Sequence, residues 1–246
     1  MMDNKISPTI IYRKDAFWSE EKYKKKRLAV VGCGGIGSWV AFYAALMGYQ
    51  NFILFDPDIV EPDNLNRTPY RVCDIGQPKV KAMEDIIHQI RPHADIIAIP
   101  EKLDEISLPL IEHATEIVVA TDDAKAKKIV PDHAIIVTQD GTFIQLSEPK
   151  RWRAVWSAPQ SEDRAEYSQD THFIFSSMAG LMAIMYLQAM LPQEVYTSIA
   201  EFGTVTISID ELVDLSLGAG GIPAYRFTLE PVPIKIEKGG DSGGGE

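Results

Sequence analysis

Short apolar runs alternate with segments of helical periodicity over roughly the first 140 residues. Helices are predicted at 38–47 and 79–90, and the second carries Val80, Met83, Ile87 and Ile90 at helical spacing. Alternating strands and helices are typical of a doubly wound, mostly parallel sheet of the α/β class. The predicted strands are 28–31, 51–55, 94–99, 116–120 and 134–138.

The pattern changes after about residue 140. Residues 142–146 and 152–156 are predicted strands, close enough in sequence to pair, with Trp152 and Trp156 on one face. An apolar stretch at 173–191 predicts a buried helix, and strands are predicted at 204–209 and 225–229. These elements indicate an antiparallel C-terminal extension of the same fold unit. We expect an N-terminal arm and helix at 1–27, the parallel domain at 28–148, the extension at 149–236 and a disordered glycine-rich tail at 237–246.

A glycine-rich loop, VVGCGGIGSW at 30–39, joins the first strand to the first long helix. The spacing fits G-x-G-x-x-G, in which glycine permits positive φ and lets a phosphate approach the backbone amides. The following helix directs its N-terminal N–H groups at that phosphate. NAD, FAD, SAM and ATP sites all use versions of this loop, so it predicts a Rossmann-like, nucleotide-binding domain without naming the nucleotide. The predicted cofactor-binding glycines are Gly32, Gly34, Gly35 and Gly37.

Charge and cysteine content exclude several classes of protein. A formal net charge of −11 argues against a nucleic-acid partner, which needs a basic surface. The two cysteines, Cys33 and Cys73, cannot form a disulfide framework. The sequence shows no signal peptide and no apolar run long enough to span a bilayer. We therefore expect a cytoplasmic protein without a membrane contact.

A long polar connection, DPDIVEPDNLNRTPYRVCDIGQPKVKA, begins where the second strand ends. Asp56 occupies the position at which a dinucleotide-binding domain holds a ribose hydroxyl. Asp58 and Asn64 follow it, and Arg67 and Lys79 add two cations beside the glycine loop. Two cations together with the glycine amides match the negative charge of a triphosphate better than that of a nicotinamide dinucleotide. A turn role for Asp56, and plain surface positions for Arg67 and Lys79, stay open as alternatives.

Two further carboxylates, in the segment ATDD, follow the predicted strand 116–120. That places Asp122 at the carboxyl edge of the sheet, where ligands of such sheets bind. A carboxylate there can hold Mg²⁺, which takes one or two carboxylates together with phosphate oxygens. Asp123 is predicted to cap the helix that follows.

Four segments together resemble the ThiF/MoeB/HesA adenylyltransferases, which are related to the ubiquitin-activating enzymes. They are GCGGIGS, LFDPDIVEPDNLNR, GQPKV and ATDD, and their order and spacing cover residues 28 to about 123. The resemblance implies that the C-terminal carboxylate of a protein attacks the α-phosphate of ATP and releases pyrophosphate. The implied partner is a small ubiquitin-like or sulfur-carrier protein that ends in Gly-Gly.

The resemblance also implies a role for each matching residue. Asp56 would hold the ribose, and Asp58 would also contact the nucleotide. Asn64 would orient the phosphates. Charge on the transferred and leaving phosphates would be stabilised by Arg67 and Lys79. Magnesium would be bound by Asp122. Arg13, within IIYRKDAF, falls where the family carries an N-terminal arginine that reaches the partner subunit's site, which implies a homodimer.

The sequence departs from the family pattern at its cysteines. Many members carry two C-x-x-C pairs that hold zinc, and this chain has neither pair, so no zinc is expected. Members that pass the activated protein to a thiol keep a cysteine in the segment corresponding to about 155–172, which has none here. We expect the reaction to stop at the acyl-adenylate. The alternatives are a non-catalytic docking or dimerisation protein with the same fold, and an NAD(P)-dependent oxidoreductase.

Overall fold

The computed structural model describes residues 20–140, 143–156, 173–191, 193–208 and 228–230. Within these residues, eight strands form one sheet in the order β3-β2-β1-β4-β5-β6-β7-β8. The strands are β1 Arg27–Val31, β2 Asn51–Phe55, β3 Asp95–Ile99, β4 Glu116–Val119, β5 Ile135–Asp140, β6 Phe143–Ser147, β7 Thr204–Ser208 and β8 Thr228–Glu230. The helices are α1 Glu20–Lys24, α2 Gly37–Met47, α3 Lys79–Ile90, α4 Pro109–Glu112, α5 Ala124–Ile129, α6 Pro149–Trp156, α7 Phe173–Leu187 and α8 Gln193–Phe202.

The first five strands are parallel, as the alternating pattern predicted. The strand order reverses between β1 and β4, because the chain runs outward from β1 to β3 and then returns to pair β4 with β1. A reversal of this kind opens a crevice at the carboxyl ends of the strands, which is where ligands bind in such sheets. The glycine loop leaves β1 at this point.

The last three strands extend the same sheet in antiparallel fashion. This confirms the predicted class, a doubly wound, mostly parallel sheet with an antiparallel C-terminal extension. One predicted strand is wrong, because residues 152–156 belong to helix α6, and β6 pairs with β5 and β7 instead. A spacing of four residues, as between Trp152 and Trp156, fits one face of a helix as well as one face of a strand. Pro149 suits the first turn of that helix.

Helices cover both faces of the sheet. Alternate residues of β4 face opposite sides, so Val118 packs with one buried cluster and Val119 with the other. On the first face α7 packs against α2, so closely that a Cβ at Gly180 would lie 2.6 Å from the Cβ of Trp39. Met182, Ala183 and Ile184 of α7 are buried inside the subunit, as the sequence predicted, whereas Ile174 and Leu181 on the same helix are exposed. In the part of the chain that the structure describes, no helix has the length and apolarity that crossing a membrane requires.

Candidate functional site

The glycine loop lies at the carboxyl ends of β1, β2 and β4. Gly32 has a φ of +92°, and a Cβ there would lie 2.6 Å from the carbonyl oxygen of Ala120. A Cβ at Gly37 would lie 1.7 Å from the carbonyl oxygen of Gly32. A side chain at Gly32 would force the loop away from the end of β4, and one at Gly37 would force the start of α2 away from the loop. At Gly34, in contrast, a Cβ would meet nothing within 4 Å.

Asp56 anchors this loop to the end of β2. It is 5% exposed, and its two carboxylate oxygens accept the N–H of Cys33 at 2.6 Å and the N–H of Asp58 at 2.9 Å. Burial raises the pKa of Asp56, and the Asp58 N–H and the charge of Lys79 oppose that rise. Asp56 thus has the turn role that the sequence left open, and it also lines the adjoining cleft.

A cleft of about 480 Å³ opens beside the loop, and its lining is rich in carboxylates. Asp56, Asp58 and Asp122 all face it, together with Gly32. Asp123 lies at the same edge and accepts the N–H of Lys125 at 2.8 Å, which confirms it as the cap of α5. The other residues of the lining are Val31, Phe55, Pro57, Glu101, Lys102, Leu103, Thr121, Ala124 and Ala126.

The two predicted cations lie near the loop but outside the cleft lining. The Nζ of Lys79 is 2.8 Å from Oδ2 of Asp58. The side chain of Arg67 packs beside Gly35, where a Cβ would lie 3.7 Å from its Cδ. Its guanidinium donates to the carbonyl of Asp63 and lies 3.8 Å from that residue's carboxylate. The loop therefore has an acidic cleft on one side and Arg67 on the other.

Asn64 is buried, and its side chain is used within its own turn. Its Oδ1 accepts the N–H of Glu61 at 3.2 Å, and its Nδ2 donates to Asp63 at 3.0 Å. Its backbone carbonyl accepts the hydroxyl of Thr68 at 2.7 Å. Asn64 thereby fixes the turn that carries Arg67.

A profile of the ThiF family matches residues 8–180, which is more than half of the chain. The chain belongs to the ThiF family. The molybdopterin-synthase adenylyltransferase of Haemophilus influenzae is 35% identical over 121 residues, which are 48% of this chain and 49% of that protein. The tRNA threonylcarbamoyladenosine dehydratase of Bacillus subtilis is 38% identical over 80 residues, which are 32% of each chain. The chain thus spans about half, or less, of the length of these curated relatives.

Solved structures share the fold of this ThiF-family chain. The Escherichia coli protein MccB, in a crystal structure with ATP, has a TM-score of 0.57 and 17% identity. The match covers 77% of this chain and 62% of MccB. At this level of identity the likeness shows the ThiF fold alone.

Sequence reasoning missed two residues that shape the site of this ThiF-family chain. The hydroxyl of Tyr70 lies 2.7 Å from the carbonyl oxygen of Cys33, in the glycine loop. The indole of Trp39 donates to the backbone carbonyl of Arg67 at 2.8 Å. An aromatic residue inside a polar connection was the available signal for Tyr70, but its contact lies 37 residues away along the chain.

The remaining candidates are the two cysteines and Arg13. Cys33 is fully buried; burial raises the pKa of its thiol well above the usual value, the charge of Asp56 adds to the rise, and Lys79 opposes it. Cys73 is exposed, and its thiol lies 3.6 Å from Oδ1 of Asp74. Arg13, residues 157–172 of the cysteine-free segment and the tail 237–246 lie outside the described residues.

Proposed function

We propose that this chain is an ATP-dependent adenylyltransferase that activates the C-terminal carboxylate of a small ubiquitin-like or sulfur-carrier protein ending in Gly-Gly. The observation that carries the proposal is the placement of the glycine loop beside an acidic cleft, with the cations Lys79 and Arg67 close to it. The name of the Haemophilus influenzae relative supports the same reaction type. We further propose that each predicted site residue serves this reaction.

The adenosine half of ATP suits the acidic cleft. Ribose hydroxyls donate hydrogen bonds, and each carboxylate oxygen of Asp56 has accepting capacity beyond the one backbone N–H that it binds. Asp58 stands at the same wall of the cleft. A triphosphate would be repelled by these carboxylates, so the phosphates belong on the glycine-loop side of the cleft.

The phosphates would meet the loop amides, Arg67 and Lys79. In the reaction, a carboxylate oxygen of the protein substrate forms a bond to the α-phosphorus, and the bond from that phosphorus to the bridging oxygen breaks, releasing pyrophosphate. The nucleophile is already an anion, so no general base is needed. Positioning and charge stabilisation by the two cations therefore supply the rate. Asn64 acts through Arg67, since it fixes the turn that carries it.

Asp122 is the residue that would hold magnesium. Its exposed carboxylate faces the cleft, and the described residues contain no group of three or more His, Cys, Asp or Glu side chains able to hold a metal. A single carboxylate fits Mg²⁺ bound together with nucleotide phosphates, because Mg²⁺ keeps waters and phosphate oxygens as its other ligands. When bound, the metal would neutralise charge on those phosphates.

A second candidate is a dehydratase acting on a modified tRNA nucleoside, as the name of the Bacillus subtilis relative indicates. The net charge of −11 disfavours an RNA partner. An NAD(P)-dependent oxidoreductase leaves Arg67, Lys79 and Asp122 without a use. A docking protein without catalysis would not need these three residues around one glycine loop.

Nucleotide preference separates the adenylyltransferase from the oxidoreductase and from the docking protein. The melting temperature of the protein is measured with ATP and Mg²⁺, ADP, AMP, NAD⁺ and NADH. The adenylyltransferase proposal predicts the largest rise with ATP and Mg²⁺, because bound ligand stabilises the folded state. A larger rise with NAD⁺ or NADH would contradict it, and no rise with any nucleotide would favour the docking protein.

A further inference from the structure

Tyr70 lies in the polar connection between β2 and α3, and it is 5% exposed. Its hydroxyl oxygen is 2.7 Å from the carbonyl oxygen of Cys33 and 3.3 Å from the carbonyl oxygen of Lys79. A tyrosine hydroxyl carries one proton, so the hydrogen bond goes to the nearer acceptor, Cys33. A buried hydroxyl from outside the glycine loop thus binds the backbone inside it.

This hydrogen bond fixes the direction of the next amide. The carbonyl of Cys33 and the N–H of Gly34 belong to one planar trans peptide, in which C=O and N–H point to opposite sides. Because the carbonyl is turned toward Tyr70, the N–H of Gly34 is turned away from it. The space beside Gly34 is open, since a Cβ there would meet no atom within 4 Å.

Neighbouring contacts hold the rest of the loop. The N–H of Cys33 is bound by Asp56 at 2.6 Å, so this residue is fixed on both its N–H and its carbonyl. The carbonyl of Gly34 accepts the backbone N–H of Ser38 at 3.2 Å and its hydroxyl at 2.6 Å. By the same rule the N–H of Gly35 points away from α2. The hydrogen bonds among the described residues include none donated by the N–H of Gly34 or Gly35.

We propose that Tyr70 is a positioning residue that holds the Cys33–Gly34 peptide so that the N–H of Gly34 can bind a phosphate oxygen of ATP. This inference rests on the proposed adenylyltransferase function. Successive backbone N–H groups at the start of a helix form a concavity that binds anions. Tyr70 touches no phosphate itself, and it acts only through the orientation of one peptide.

The test compares two tyrosine-to-phenylalanine variants, which each remove one buried hydroxyl. Tyr70→Phe frees the Cys33 carbonyl. Tyr49→Phe is the matched control, since Tyr49 is fully buried and its hydroxyl binds Glu116 and Gln188, with Glu116 at the opposite end of the parallel strands. Calorimetric titrations measure the affinity of each variant for ATP with Mg²⁺ and for adenosine.

Tyr70→Phe is expected to weaken ATP binding about tenfold, the scale of one misdirected hydrogen bond to a charged group. Its affinity for adenosine should stay at the wild-type value, because adenosine carries no phosphate. Tyr49→Phe should change neither affinity, although both variants should melt at a lower temperature. Unchanged ATP affinity in Tyr70→Phe would overturn the inference, and so would equal losses for ATP and adenosine, which indicate a purely structural role.

A second measurement uses the wild-type chain, so it does not depend on a variant that folds. The backbone amide resonance of Gly34 is followed by NMR during titration with ATP and with adenosine. It should shift with ATP and not with adenosine. An unchanged Gly34 resonance in protein that binds ATP would overturn the inference. Wild-type protein that binds no ATP at all would overturn the proposed function itself.

Discussion

The ammonium of Lys79 lies 2.8 Å from the Oδ2 of Asp58, and the lysine is the more buried partner, with 12% of its side chain exposed against 64% for the aspartate. The backbone repeats the contact, because the N–H of Lys79 donates to the carbonyl of Asp58 at 2.9 Å. These two contacts hold the start of α3 against Asp58, which lies three residues after the end of β2. The pair places a cation beside the glycine loop, close enough for its charge to act on Cys33.

Lys79→Met is expected to lower the rate of ATP–pyrophosphate exchange about 100-fold, because it removes a charge that stabilises the transferred phosphate. Lys81→Met is the matched control. Lys81 lies two residues further along α3, and it pairs with Glu84 at 2.7 Å on the helix surface. The control should keep wild-type exchange. Equal activity in the two variants would remove Lys79 from the site.

Asp122→Ala is expected to lower pyrophosphate exchange about 100-fold or more, since the phosphates would lose their metal-bound charge neutralisation. Asp95→Ala changes the same charge at the opposite end of the parallel sheet, where Asp95 begins β3 and is exposed. It should keep exchange at the wild-type rate. Circular dichroism should be the same for both variants. An Asp122→Ala enzyme with normal exchange would show that this carboxylate holds no metal in the reaction.

The parallel half of the fold could be predicted from the sequence because the spacing of apolar residues within each segment distinguishes a strand from a helix. Lys79–Ile90 is an example, where apolar residues at helical spacing gave both ends of α3. The pattern failed at α6, since the four-residue spacing of its tryptophans fits both periods and its partner is distant in sequence. The ring of Trp152 packs against the ammonium of Lys127 in α5, which no local pattern reveals. Helix α8 was missed altogether.

The sequence predicted which residues belong to the candidate site, but it did not predict the contacts that arrange them. The strand ends placed Asp56 and Asp122 at one edge of the sheet, and both line the cleft. The conformation of the long connection could not be predicted from its sequence, because contacts between residues distant along the chain fix it. Tyr70 with Cys33 is one such contact, and the indole of Trp39 with the carbonyl of Arg67 is another.

Neither cysteine is expected to carry the activated protein. Cys33 is buried in the loop with a raised thiol pKa, so iodoacetamide should label Cys73 and leave Cys33 unmodified in the native protein. The Cys33→Ala, Cys73→Ala double variant should keep both pyrophosphate exchange, which reports formation of the acyl-adenylate, and formation of the final product made from it with the true partner protein. If exchange persists and product is lost, a thiol takes part, and the prediction that the reaction stops at the acyl-adenylate is wrong.

A homodimer with Arg13 acting across subunits can be tested by mixing two inactive variants. In a mixed dimer of Arg13→Ala and Asp122→Ala chains, one site combines the intact Asp122 of one chain with the intact Arg13 of the other. Random mixing should restore about one quarter of wild-type activity in a two-fold symmetric dimer. No recovery would place Arg13 in its own subunit's site. A monomer by light scattering at micromolar concentration, with ATP bound, would exclude the dimer.

In the proposed reaction the chain joins AMP to a protein carboxylate. The most direct measurement is exchange of labelled pyrophosphate into ATP, with small carrier proteins ending in Gly-Gly supplied in two forms, one with a free C-terminal carboxylate and one with a C-terminal amide. Exchange should require the free carboxylate of one carrier, because only that form can attack the α-phosphate. Equal exchange with the free carboxylate and with the amide would contradict the proposed reaction. So would a failure of every carrier to support exchange.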